Sequence, residues 1–477
     1  MNLKCLGALL LGICLYGNTY AQGKTGYKET WYGVFKTPVG EKQRLEVILE
    51  KENNSTYKGW LKVTDADAPP IALEEVEYRG DSLRFSIGDG NTYASRWDAV
   101  KKEFNGQLVM FDEATPLTLS RKEIRKEDLY TRPQEPRPPF SYHTEEVTFV
   151  NPVSGNTLAG TFTRPDYVTA QYPVVIMITG AGPRDRNNEV AGHKPFLVLA
   201  DYLTRNGIAV LRYDSRGAGK STGDYEHADI FDFAEDIRAA IKFIKTRKDV
   251  DTAFVGLLGH SQGANVAQIV AAGNKAVAFV VSMAGTGISG RQLIDLQWEI
   301  AGKSTGASDS EVKQKQEQFK DYFDLLATEK DMAVLVPKAT AALQKIYQAS
   351  PDSVKASISE EDFVDQILGS NLQKAALSMM RYKPLPYLQQ VKCPFLGING
   401  THDVQVDANV NLPAIERALM ENGNMQVTIR KFDGLNHLFQ RCNTCTLAEY
   451  GDLEQTISPM VLEFITHWIQ HLPAKAG

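Results

Sequence analysis

Val255-Gly256-Leu257-Leu258-Gly259-His260-Ser261-Gln262-Gly263-Ala264 sets the pattern G-x-S-x-G between an apolar run, Phe254–Leu258, and a helical segment, Gln262–Ala272. At such a strand-to-helix elbow the serine takes a strained backbone conformation that lifts its hydroxyl above the sheet. The flanking glycines are needed there because a Cβ would strike neighbouring backbone. Ser261 is therefore a candidate nucleophile. Five residues alone are a weak signal, since Gly and Ser are common; the position between strand and helix is what raises it.

Outward from the elbow, apolar runs of strand length alternate with helical segments. Val174–Thr179, Ile208–Tyr213 and Val277–Met283 are the strands, and Phe196–Arg205 and Ile230–Lys245 are helices. Continuous apolar strands separated by amphipathic helices imply a parallel sheet covered on both faces. The strand signal lapses after Gly285 and resumes at Pro394–Asn399 and Met425–Lys431, before a closing helix, Ile457–Gln470. Residues 286–392 thus read as a helical cap inserted at the carboxyl edge of the sheet, where open α/β folds bind ligands. The sheet itself is expected over 145–285 and 393–477.

A serine hydroxyl needs a histidine to take its proton and a carboxylate to orient that histidine. Asp403 follows directly on the strand Pro394–Asn399, and His437 stands in Gly434-Leu435-Asn436-His437 after Met425–Lys431, giving the chain order Ser, Asp, His. Asp407 is a rival acid, and a helix or turn cap is the alternative role for Asp403. His260 adjoins the nucleophile with its side chain aimed away, and His402 adjoins Asp403. His143 lies in the linker region, and His467 and His471 lie on the last helix, so His437 is the base candidate. A developing oxyanion needs two donors: the N–H of Gln262, at a helix start, and an N–H of Ala181 or Gly182 in Gly180-Ala181-Gly182-Pro183, with Ala181 favoured. Arg184, Asp185 and Arg186 either form a solvated cluster or line the pocket mouth. The run Gly217-Ala218-Gly219-Lys220-Ser221 is not a phosphate loop, because the required first glycine falls on Asp214.

From Thr25 to Arg125 the pattern alternates at period two, as in Leu45-Glu46-Val47-Ile48-Leu49, with Asp89-Gly90 and Asn105-Gly106 read as hairpin turns. An antiparallel β domain is expected over 22–130. Its Trp31, Trp60, Tyr93 and Trp97 read chiefly as core, with a binding platform as the alternative. Pro133, Pro136, Pro138 and Pro139 stiffen a linker over 131–144. Residues 1–21, with Lys4, an apolar run and Ala21, read as a secretory signal peptide, so the protein is expected to be periplasmic or secreted. Acylation at Cys14 is disfavoured by Ile13 before it. No other stretch has the roughly 20 apolar residues of a membrane span, so no membrane insertion is expected after cleavage. Cys442 and Cys445 form a C-x-x-C read as a local disulfide or free thiols, because no second ligand pair follows at zinc-knuckle spacing.

At 477 residues the chain holds two to four folding units, and 52 basic against 58 acidic residues give a net charge of −6. No long basic run recommends nucleic acid or an anionic membrane as partner. The elbow GHSQG, the loop TGAGPRDRN, the turn RYDSRGAGKSTG, the acid segment NGTHD and the segment GLNHLFQ together resemble an α/β-hydrolase over about residues 145–470. More narrowly they resemble bacterial serine carboxylesterases with an N-terminal β domain and a helical cap. The resemblance implies an α/β-hydrolase fold and cleavage of a small-molecule ester by Ser261, His437 and Asp403 through an acyl-enzyme, with no metal and no cofactor. The C-x-x-C is not asked for by that pattern. A serine peptidase or aminopeptidase on the same fold, with cap carboxylates such as Glu299, Asp321, Asp324 or Glu360 holding a substrate amine, is one alternative. A non-catalytic glycan- or partner-binding protein is another. Oligomeric state is not legible, a homodimer being one option.

Overall fold

The computed structural model describes residues 28–37, 41–53, 56–66, 68–88, 90–110, 113–166, 172–304 and 306–473. The leader read over 1–21, Cys14, and Asp89 of one expected turn lie outside the described residues. The chain divides into two compact units, one running to Thr131 and taking in Leu447–Glu454, the other comprising Arg132–Thr446 and the residues from Gln455 onward.

The first unit is all antiparallel. Its strands are β1 (Lys28–Lys36), β2 (Lys42–Lys51), β3 (Tyr57–Val63), β4 (Ile71–Ala72), β5 (Glu74–Tyr78), β6 (Ser82–Ser86), β7 (Thr92–Asp98), β8 (Glu103–Met110) and β9 (Glu113–Ser120). They pair in the order β4-β3-β2-β1-β9-β8-β7-β6-β5. The two end strands, β4 and β5, are joined through the single residue Leu73, so the sheet curls round until its edges meet, which protects edges that would otherwise pair with other chains. Period-two alternation turns Trp31, Leu45, Val47, Leu49, Leu83, Phe85, Tyr93 and Phe104 into one enclosed core. Trp97 packs against that core, edge-on to Trp31 at 5.8 Å, while Trp60 is half-buried. Asn105-Gly106 is not a turn: both residues lie inside β8, opposite Arg96 and Ser95. Gly106 is there for close approach, since a Cβ would sit 2.4 Å from the Ala94 carbonyl oxygen.

The second unit follows the expected α/β-hydrolase plan. In chain order it runs β10 (Tyr142–Val150), β11 (Thr157–Pro165), β12 (Tyr172–Ile178), α1 (Pro195–Arg205), β13 (Ala209–Tyr213), α2 (Ile230–Ile244), β14 (Val250–His260), α3 (Gln262–Ala271) and β15 (Phe279–Met283). Among the described residues seven helices follow: α4 (Gly290–Ser304), α5 (Asp309–Thr328), α6 (Met332–Gln348), α7 (Asp352–Lys355), α8 (Glu360–Leu372), α9 (Lys374–Arg381) and α10 (Leu385–Leu388). The chain then returns through β16 (Phe395–Gly400), α11 (Ala408–Met420), β17 (Val427–Phe432) and α12 (Pro459–Gln470). Sheet order is β10-β11-β13-β12-β14-β15-β16-β17, parallel from β13 onward and opened by an antiparallel hairpin, β10–β11, that reaches back to Tyr142.

Each face of the sheet has its own core. Ile176, Leu257 and Val280 meet α2, α3 and α11 on one side, while Val175, Leu258 and Val281 meet α1 and α12 on the other. The helical insertion between β15 and β16 builds a third core from Phe319, Tyr322, Phe323, Leu335, Leu343 and Phe363. Among the described residues no helix is long and apolar enough to cross a membrane.

Candidate active site

Three strand ends deliver the candidate residues. Ser261 directly follows β14 and takes φ 55°, ψ −120°, a region that costs a non-glycine residue roughly 1–3 kcal/mol and persists only where the surroundings impose it. What imposes it is the packing of α3 onto β12: a Cβ on Gly263 would lie 2.1 Å from the Ile178 carbonyl oxygen, so only glycine lets the helix start that close. The Ser261 N–H is fixed to the Met283 carbonyl at 2.8 Å.

Asp403 and His437 come together beyond β16 and β17. His437 Nδ1 donates to Asp403 Oδ2 at 2.7 Å, and both residues are buried. Asp403 Oδ1 accepts the Gln405 and Val406 N–H groups at 2.8 and 2.9 Å, which hold the carboxylate in place. The rival acid Asp407 is occupied elsewhere, capping α11 through the Asn409 and Val410 N–H groups. Among the described residues no hydrogen bond joins Ser261 to His437. The link between them is His260, whose ring centroid lies 4.8 Å from that of His437 and whose Nε2 donates to the His437 carbonyl at 2.9 Å.

Burial, and then the proximity of His437, push the His260 imidazole down to about 3. It is therefore neutral across the working range and serves as a fixed donor. Below the ordinary histidine value of about 6.5 the unfolded chain takes up a proton that the fold refuses, so this group's stability is complete above that pH and declines as pH falls toward 3. The expected result is a loss of about 1 kcal/mol per pH unit from this residue between pH 6 and 4 in urea unfolding, with a shallower slope in His260→Gln.

The oxyanion donors separate. Gly182 N–H is committed to the Tyr225 hydroxyl at 2.7 Å, which removes it as a donor, whereas the Ala181 and Gln262 N–H groups have no protein partner among the described residues. The loop start lies against the elbow, because a Cβ on Gly180 would sit 3.7 Å from Ser261 Cβ. Tyr225 Oη in turn donates to Gln262 Oε1 at 3.4 Å, and its ring stacks on Phe233 at 5.0 Å. One half-buried phenol, its pKa raised chiefly by desolvation, so bridges the two segments that carry the candidate donors. Tyr225→Phe is expected to release the Gly182 N–H and lower the thermal unfolding midpoint by a few degrees, checked by calorimetry.

Arg184 and Arg186 are both tied into the surrounding loop and strand ends. Arg184 donates to the Ala181 and Glu189 carbonyls at 3.0 and 2.8 Å, and Arg186 pairs with Asp214 at 2.8 Å and Glu146 at 2.7 Å. Asp214 also accepts the Lys220 N–H at 3.0 Å, so the glycine-rich turn packs against its own strand end.

Several supporting residues escaped sequence reasoning. Asn436 Oδ1 accepts the Leu438 and Gln440 N–H groups at 3.0 Å, closing a tight loop around His437. Gln440 Nε2 reaches His193 Nε2 at 2.9 Å, and His193 Nδ1 reaches Thr456 Oγ1 at 3.0 Å. Asn436, Gln440 and His193 are fully buried. A separate cavity of about 420 Å³ is lined by Asp229, Phe231, Lys374, Arg381, Tyr382 and Tyr387 among others, and none of the three candidate catalytic residues lines it.

A family model described as serine aminopeptidase, S33 matches residues 194–441, just over half of the chain and a span that contains Ser261, Asp403 and His437. The esterase EstD of Thermotoga maritima is 32% identical over 138 residues, which are 29% of this chain and 31% of that protein. The chain thus spans about a third of the length of this curated relative. Solved structures that align with the chain include an esterase of Pyrococcus furiosus, at 15% identity over 74% of this chain and 95% of that one with a TM-score of 0.42. Another is the ferulic-acid-bound Est1E of Butyrivibrio proteoclasticus, at 16% identity over 68% and 96% with a TM-score of 0.39.

Proposed function

The chain belongs to the serine aminopeptidase S33 family of hydrolases, and from that premise we propose that it cleaves small carboxylic esters through an acyl-enzyme on Ser261. It is an α/β-hydrolase of the ester- or peptide-cleaving kind. The observation that carries the finer reading is the buried His437–Asp403 pair, joined at 2.7 Å and in contact with His260, the residue next to the strained Ser261. In this reading His437 Nε2 takes the Ser261 proton as Oγ attacks the ester carbonyl, and Asp403 stabilises the imidazolium. The Ala181 and Gln262 N–H groups face the oxyanion, and the α3 dipole adds to them. His437 then returns the proton to the departing alcohol, and a water molecule, activated by the same imidazole, releases the acid.

Ester cleavage is favoured over aminopeptidase action by the state of the cap carboxylates. Glu299 pairs with Lys303 at 2.7 Å, Asp324 with Arg291 and Lys320 at 2.7 and 2.9 Å, and Glu360 is bonded to Gln348, while Asp321 is exposed. At Glu299 and Asp324 a substrate ammonium would have to displace an existing cation to find a partner. From the leader read over residues 1–21 we propose a periplasmic or secreted location for this activity. The test is a panel of p-nitrophenyl esters from acetate to palmitate beside aminoacyl p-nitroanilides. Turnover of the shorter esters is expected, and cleavage confined to the anilides would make the protein a peptidase.

A further inference from the structure

Cys442 and Cys445 are joined in a local disulfide, and the fold brings to it a third donor that spacing along the chain does not supply. His402 Nδ1 lies 3.5 Å from Cys445 Sγ, and the donor atoms of His402, Cys442 and Cys445 all fall within 4.8 Å of one another. Backbone pairing holds them there. His402 N–H donates to the Leu435 carbonyl at 3.0 Å, Leu435 forms an antiparallel bridge with Arg441, and Cys442 follows directly, its sulfur 3.7 Å from the Gly434 carbonyl oxygen. Gly434 N–H is tied back to Thr401 Oγ1 at 2.9 Å. Cys445 is buried and His402 exposed, so the cluster opens to solvent on one side.

Tetrahedral zinc, with bonds of about 2.3 Å to sulfur and about 2.0–2.1 Å to nitrogen, sets neighbouring S and N ligands about 3.6 Å apart and two sulfurs about 3.8 Å apart. The Cys445 sulfur–His402 nitrogen separation seen here already matches. The sulfur–sulfur distance must grow, which it does when the bond between them breaks, and the freed Cys442 sulfur must then close on His402 from within the 4.8 Å that spans the three donors. We propose that His402, Cys442 and Cys445 form a redox-gated binding site for Zn²⁺, closed as the disulfide and opened by a dithiol reductant. On opening, the S–S bond takes up two electrons and two protons from the reductant, which leaves as its own disulfide. On binding, the two thiols release two protons and form two Zn–S bonds, neutral His402 supplies Nδ1, and water fills the fourth position from the open side. Two thiolates with one imidazole select zinc over the hard cations calcium and magnesium. His402 immediately precedes Asp403, so the ion is anchored one residue from the carboxylate that orients His437.

The experiment compares the full chain with its Cys442→Ser/Cys445→Ser double variant. Both are reduced by a water-soluble phosphine, which becomes its oxide with oxygen from water. Zn²⁺ is titrated against a chromophoric chelator, and Co²⁺ serves as spectroscopic probe. The reduced full chain is expected to bind one more equivalent of Zn²⁺ than the double variant, and to show a thiolate-to-cobalt charge-transfer band with the d–d bands of tetrahedral Co²⁺. The unreduced chain should show neither. His402→Ala, an exposed change that leaves both thiols, is expected to weaken binding about tenfold or more. Equal metal uptake by the reduced chain and the double variant overturns the proposal, as does His402→Ala binding zinc as tightly as the unaltered chain. Far-UV circular dichroism on each reduced sample checks that the fold persists.

Discussion

Ser261→Ala is expected to lower p-nitrophenyl ester hydrolysis by at least about 10⁴-fold while leaving the thermal unfolding midpoint within a few degrees of the unaltered protein. The loss is large because the proposed mechanism forms its acyl-enzyme on the Ser261 oxygen, and His437 and Asp403 would be idle without it. The fold survives because the elbow is held by Gly263 against the Ile178 carbonyl and by the Ser261 N–H on Met283, neither of which uses the hydroxyl. Removing the hydroxyl leaves the backbone conformation at φ 55° intact, so the alanine variant stays strained but folded. A residual rate within tenfold of the original would mean that another nucleophile carries the chemistry.

Asp403→Asn is expected to reduce kcat by about 10³- to 10⁴-fold with KM little changed. The direction follows from the hydrogen bonds. Oδ1 is pinned by the Gln405 and Val406 N–H groups, so the amide oxygen of asparagine takes that place and its NH₂ faces His437 Nδ1. The imidazole must then accept at Nδ1 and carry its proton on Nε2, the wrong tautomer to take a proton from serine. Stopped assays at several pH values, with a thermal midpoint as the control for folding, separate this from a mere loss of stability.

The placing of the candidates Ser261, Asp403 and His437 at three strand ends was legible because each is announced locally, one by flanking glycines and two by standing just past an apolar strand. What supports them was not. His193 meets Gln440 across 247 positions and Thr456 across 263, and Tyr225 reaches Gly182 across 43, separations at which no pattern in the chain links the partners. Local signals also misled. Asn105-Gly106 has the composition of a hairpin turn, yet the glycine serves a close approach between β8 and β7, a demand visible only once the strands are paired. The hairpin β10–β11 was passed over because its half-polar strands lack the continuous apolar run that marks β12 to β16. A disulfide was one of two readings of the C-x-x-C, with free thiols the other, but His402 beside it could not be read at all, since it arrives from a different strand end.

The central claim is that Ser261 is the nucleophile of a serine hydrolase. Stoichiometric labelling with a fluorophosphonate, followed by intact-mass measurement and peptide mapping, tests it most directly. One adduct per chain on Ser261, with ester hydrolysis lost in proportion and no adduct in the His437→Ala protein, is the expected result. Undiminished ester hydrolysis after exposure to the reagent, or an adduct on any other residue, would contradict the account.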